Sequence, residues 1–129
     1  MATTRSVRWT LTTNATPTEI FAYPISIGPP MAVELTVIAR DMVDGTAAMW
    51  AKRALVKNLT GTGVLVGALI DLFTAQKDTN AAAWTLAGSI ASGAILVTAT
   101  GAARRNIQWS VSANILEPFI AGGTYGAQL

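Results

Sequence analysis

The chain has 129 residues with nine Lys and Arg against seven Asp and Glu, a net charge of +2 that is too small for the electrostatic footprint of a nucleic-acid binder. Hydrophobic residues make up 51% and charged residues only 12%, about half the usual charged share, so this is a surface that wants covering. With no Cys and no His, disulfides, thiolate metal sites and the commonest general bases and catalytic triads are excluded.

The length suits one domain burying roughly two thirds of its unfolded surface. The longest apolar run, Val64 to Phe73, is broken by Gly67 and Asp71 and falls short of the roughly 20 residues that span a bilayer. The start has no apolar stretch of signal-peptide length. Neither a membrane span nor secretion by that route is expected.

From Arg5 to Asn14 the chain reads R-S-V-R-W-T-L-T-T-N, and its alternation predicts a strand with Val7, Trp9, Leu11 and Thr13 facing inward. Pro17 marks a turn over residues 14–18, and a short extended piece follows over Glu19 to Ala22. Pro24, Gly28, Pro29 and Pro30 make Tyr23 to Pro30 a loop or edge strand. Met31 to Arg40 alternates cleanly, with Val33, Leu35, Val37 and Ala39 sharing a face. The Asp44-Gly45 pair then supplies a tight hairpin.

Ala47 to Asn58 is read as the returning strand, with Trp50, Lys52, Ala54 and Val56 opposing Ala51, Arg53, Leu55 and Lys57. Its alternation leaves open which set is inside. A helix is the rival reading of Ala-Met-Trp-Ala-Lys-Arg-Ala-Leu, but turns on both sides favour a hairpin. The nearly all-apolar Thr62 to Phe73 predicts a strand covered on both faces or pressed against a neighbouring subunit. Thr74 to Asn80 is a polar turn. Ala82 to Ser89, with Trp84 and Leu86, and Ala94 to Thr100, with Ile95, Val97 and Ala99 on one face, are strands joined by a hinge over residues 90–93. From Arg105 to Asn114 the chain reads R-N-I-Q-W-S-V-S-A-N, a near copy of the first strand, with Ile107, Trp109, Val111 and Ala113 inward.

About eight strands with frequent turn signals predict an all-β fold: an antiparallel β-sandwich, jelly-roll-like, as a single domain over residues 1–116. Residues 117–129, E-P-F-I-A-G-G-T-Y-G-A-Q-L, differ in kind and predict an extended C-terminal arm. Its Phe119, Ile120, Tyr125 and Leu129 would contact a partner surface, or else fold back on their own domain.

Chemistry is sparse. Asp41 and Asp44 flank one turn, but calcium takes about 6 to 8 oxygen ligands, and a solvated hairpin tip is the expectation. Glycoside hydrolysis needs two facing carboxylates, whereas Glu19, Glu34, Asp71 and Glu117 are scattered. Gly61-Thr62-Gly63 lacks a following P-loop lysine and reads as a turn. No catalytic residue, metal or cofactor site is expected, and no enzyme. The basic pairs Lys52-Arg53 and Arg104-Arg105 are expected on solvated strands or turns. Of the four tryptophans, Trp9, Trp84 and Trp109 are expected in the core. Trp50, if it faces outward beside Lys52 and Arg53, is the leading contact residue.

The assembled pattern A-V-E-L-T-V-I-A-R-D, W-A-K-R-A-L-V-K-N, A-A-W-T-L, L-V-T-A-T-G and I-Q-W-S-V-S-A-N resembles a β-rich module of tailed-phage virion proteins. That group includes tail-fibre or baseplate pieces and small capsid decoration proteins. The resemblance implies first a capsid decoration (cement) protein: a homotrimer on the capsid surface, binding the major capsid protein at subunit junctions. The alternative it implies is a tail-fibre or baseplate module, structural or receptor-binding. A free-standing carbohydrate-binding domain is a third reading. The cement reading calls for no nucleic acid, membrane or small-molecule substrate as partner.

Overall fold

The computed structural model describes residues 2–58, 60–91 and 93–117. They form two antiparallel sheets packed face to face. The larger has the order β1-β9-β3-β4-β5, from Ala2–Thr12 (β1), Ile107–Glu117 (β9), Gly28–Asp41 (β3), Ala47–Asn58 (β4) and Val64–Asp71 (β5). A two-residue strand, Gln76–Lys77 (β6), extends it by pairing with the first part of β4. The smaller sheet has the order β2-β8-β7, from Thr18–Pro24 (β2), Ala94–Thr100 (β8) and Thr85–Ala91 (β7). A short 3-10 turn, Thr79–Ala81, precedes β7, and no helix among the described residues is long and apolar enough to cross a membrane.

The sandwich expectation holds, because alternation places one apolar series of each central strand between the sheets. In β3, Met31, Val33, Leu35, Val37 and Ala39 are buried, and in β9, Ile107, Trp109, Val111, Ala113 and Ile115. The smaller sheet contributes Ile20, Phe21, Ile95, Val97 and Ala99. The Asp41–Gly45 turn does return β3 into β4, with Gly45 at φ +77°, a region that an L side chain enters only with strain.

At the centre, the ring of Trp109 stacks on Trp50 at 5.5 Å and meets Trp84 tilted at 6.0 Å. Its indole Nε1 donates to Thr12 Oγ1 at 2.9 Å, satisfying a buried donor and tying β1 to the core. The Trp84 indole N–H finds no acceptor among the described residues.

Three expectations need correction. Trp9 is not a core residue: it is 67% exposed. In the antiparallel pairing of β1 with β9, Thr10 stands opposite Trp109 and Trp9 opposite Ser110. Directly opposed side chains point to the same side, so the inward series of β1 is Arg8, Thr10 and Thr12, and Val7, Trp9 and Leu11 face out. Second, β5 is not covered on both faces. It is an edge strand whose Val64, Val66 and Ile70 are exposed in the single chain. Third, residues 74–80, expected as a turn, contain β6.

Replacing Trp109 with Ala should cost about 3–5 kcal/mol by urea denaturation, since it empties the centre of the tryptophan cluster. Thr12→Val keeps the shape but orphans the Trp109 N–H, and should cost about 1–3 kcal/mol.

Candidate interaction surface

The structure separates the residues that sequence placed together on β4. Trp50 is 3% exposed and faces the core, so it is not a contact residue. Its register partner is Val37, whose face is buried, and the odd-numbered neighbours Met49 and Arg53 take the other side. Lys77 covers the rim of this ring, its Nζ 5.5 Å from the Trp50 centroid and donating to the Trp84 carbonyl at 2.6 Å. Lys52 shares the inner face, with a side chain 13% exposed and Nζ 2.8 Å from Asp71 Oδ1. Arg53 alone projects outward, half exposed, with Nη1 3.6 Å from Glu34 Oε1. Phe119, Ile120, Tyr125 and Leu129 lie outside the described residues. Of the proposed arm only Glu117 is described, as the last residue of β9.

The outer face of the larger sheet is the feature that sequence reading missed. An antiparallel sheet with one solvated face ordinarily alternates apolar-in and polar-out. Here the outward series carries two apolar stripes at opposite edges. On β1 they are Val7, Trp9 and Leu11, and on β4 and β5 they are Leu55, Val64, Val66 and Ile70, all at least two-fifths exposed. Between them β9 presents Gln108, Ser110, Ser112 and Asn114 with Leu116 at its end, and β3 adds Ala32, Glu34, Thr36, Arg40 and the exposed Ile38.

The two stripes differ in relief. The β1 register runs from Ala2 to Thr12 without a break, so Trp9 stands on a regular edge strand. Along β5 the register shifts: Arg53 pairs with Ile70 and Leu55 with Val66, leaving three residues of β5 against one of β4. This bulge turns on Gly67 at φ +76°, and a Cβ added there would meet nothing within 4 Å. The result is a recess of about 390 Å³ lined mainly by Leu55, Val66, Gly67, Ala68 and Ile70, with Arg53 at its side.

The carboxylates are committed elsewhere. Asp41 is buried, not solvated as expected of a hairpin tip; its Oδ1 accepts from the Val43 N–H at 2.8 Å and its Oδ2 from Arg105 Nη1 at 2.9 Å. The same Nη1 reaches Asp44 Oδ2 at 2.6 Å, and Asp44 Oδ1 accepts from the Thr46 N–H at 2.9 Å. Arg105 thus fills the place considered for a cation and pins the β3–β4 hairpin to the loop before β9, leaving Met42 and Val43 exposed at the tip. Glu19 pairs with Arg8 at 2.9 Å, and Asp78 Oδ2 accepts from the Ala47 N–H at 2.9 Å. Among the described residues no cluster of three or more His, Cys, Asp or Glu could hold a metal.

The Val43 N–H, then Arg105, hold the Asp41 carboxyl below the usual aspartate value of 3.8. The Thr46 backbone N–H and side chain do most to lower Asp44, with a smaller contribution from Arg105.

This architecture defines a class, an antiparallel two-sheet module, and solved structures contain its like in fold. It is similar in fold to part of the tailspike protein of Acinetobacter baumannii phage AM24, at TM-score 0.54 and 9% identity, over 95% of this chain and 27% of that one. Weaker likenesses run to two further tailspikes. One is gp49 of Acinetobacter baumannii bacteriophage Fri1, described as a capsular polysaccharide depolymerase, at TM-score 0.43, 9% identity, and 87% and 17% coverage. The other is that of Acinetobacter phage vB_ApiP_P1, at TM-score 0.41, 15% identity, and 89% and 22% coverage. The chain therefore spans about a quarter or less of each of these proteins. No protein-family model matches it, and no curated protein sequence does.

Depressed folded-state pKa values add stability that is present above the unfolded value and is lost as pH falls through the folded one. Arg105→Gln removes part of that depression. Thermal melts should show wild type more stable than the variant near neutrality, with the gap narrowing as pH drops below about 4. A gap that stays constant across that range would assign the loss to packing instead of charge.

Proposed function

We propose that this chain is a structural module of a tailed-phage tail, a piece of a fibre or spike rather than a cement protein of the shell. The observation that carries the reading is the fold likeness over nearly the whole chain to part of a phage tailspike. That likeness supports the tail alternative of the sequence analysis above its capsid reading. Composition points the same way as assembly: few charges, and an outer sheet face apolar at both edges.

In this reading the module holds and positions, and any cleavage of a host polysaccharide belongs to other parts of the assembly. Retaining and inverting hydrolysis both need two carboxyls facing each other across about 5 to 9.5 Å, one of them with a raised pKa to act as acid. Asp41 and Asp44 share an arginine and are shifted the opposite way. Glu19, Glu34 and Asp71 are each paired with a cation.

Fractionating disrupted virions and probing for this chain should find it with tails, in numbers set by tail symmetry. Recovery with the shell, at copy numbers comparable to the major capsid subunit, would restore the cement reading. The isolated chain incubated with capsular polysaccharide should leave the polymer's length unchanged by size-exclusion chromatography; shortened product would show that it is itself a depolymerase.

A further inference from the structure

We propose that residues 118–129 fold back over the outer face of the larger sheet, crossing β3 and β4 to reach the recess beside Gly67. The segment is a strap on its own domain, with Phe119 and Tyr125 as its two anchors.

The strap has a track at the level where β9 ends. Leu116 pairs with Ala32, Ala32 with Leu55, and Leu55 with Val66, so one apolar row crosses four adjacent strands. Directly opposed residues share a face, and here that face is the outer one: Leu116, Leu55 and Val66 are each about two-fifths exposed. The next outward row, Asn114, Glu34 and Arg53, is polar and borders the track on one side. Two hollows open along the track and share Ala32. One, of about 380 Å³, lies among Ala32, Glu34, Asn114 and Leu116, and the other is the recess of about 390 Å³ at Gly67.

The chain is delivered to this track. Glu117, the last residue of β9, stands one position beyond Leu116. Pro118 follows, and without an N–H it cannot donate to a ladder on either side. The inner side of this end is closed by the buried Ile25, whose N–H donates to the Gly93 carbonyl at 2.9 Å and whose carbonyl accepts from Asn58 Nδ2 at 3.2 Å. A chain turning off the sheet after Glu117 meets the outer face first, at Leu116.

Length and composition identify the occupant. β9 and β5 are three places apart in the sheet, ~14 Å at about 4.8 Å per strand. At up to about 3.3 Å per residue, Phe119 reaches ~7 Å from Glu117 and Tyr125 ~26 Å. The first distance covers the hollow beside Leu116, and the second covers the Gly67 recess with slack for a turn at Gly122 and Gly123. No residue from 118 to 129 is charged, so no ion has to be desolvated when the segment lies on the track. In the recess the Tyr125 ring packs on Leu55, Val66 and Ile70, and its hydroxyl meets the Arg53–Glu34 pair at the rim.

Because the chain has no cysteine, the path can be read from thiol pairs placed in the full chain. Thr124→Cys is combined either with Ala68→Cys, in the recess, or with Ser112→Cys, which lies ~17 Å from Glu117 along β9 and two outward rows off the track. Disulfide formation is measured at equilibrium in glutathione buffers. The Ala68 pair should close within one chain, at an effective concentration about tenfold or more above that of the Ser112 pair. Adding Tyr125→Ser or Val66→Asp should lower it to the Ser112 value while the near-ultraviolet signal of the Trp50, Trp84 and Trp109 cluster is kept. Equal closure of the two pairs, or a preference that survives either added substitution, would overturn the proposal. So would a disulfide between chains, seen at twice the 13.4 kDa of one chain, which would put the segment on a neighbour instead.

Discussion

The bond from the Trp109 indole to Thr12 is the constraint on which much of the rest depends. Trp109 lies between the sheets, stacked on Trp50 from β4 and tilted against Trp84 from the segment before β7. A buried N–H without a partner costs about 1–3 kcal/mol, so the acceptor on β1 has a defined place to occupy. Thr12 fills it, and in doing so fixes the strand's register residue by residue. A slip by one position would send Trp9 inward, but would carry the Thr12 hydroxyl to the other face.

The outer surface follows from that choice. With Arg8, Thr10 and Thr12 turned inward, β1 is held by polar contacts, including the Arg8–Glu19 pair to β2, and its apolar series is left outside. Burial of a side chain the size of Trp is among the larger single gains available to a fold, so leaving one exposed concedes stability in the isolated chain. At the opposite edge, the Gly67 bulge shifts the register of β5 against β4 and opens a hollow. The sheet is thereby given two different ends.

Much of the architecture was legible in sequence because alternation reports strands directly. Ala47 to Asn58 was delimited by its flanking turns, and the inward set of β3 by its run of Val and Leu. What alternation reports is a period, not a side. The near copy of Arg5 to Asn14 at Arg105 to Asn114 suggested that Trp9 and Trp109 do the same job. They point to opposite faces because antiparallel pairing sets Thr10, not Trp9, against Trp109. The apolar content of β5 suggested full cover, and its place at the sheet edge beside a bulge was not visible. The Arg105 clamp on Asp41 and Asp44 spans more than sixty residues and had no local signal. Trp50 was undecided for the same reason as Trp9: its partner strand had to be known first.

The pairing of β1 with β9 brings Ala2 opposite Glu117 and Thr12 opposite Ile107. The two strands therefore begin and finish at the same end of the sheet, with their hydrogen bonds perpendicular to the strand direction. Tension applied through those two ends separates the strands like a zipper, loading one ladder pair at a time. Tension between Ala2 and the far hairpin at Val43 instead shears several ladders together. As a mechanical element the module is weak along one axis and strong along another, and the direction in which it is tethered decides how much load it bears.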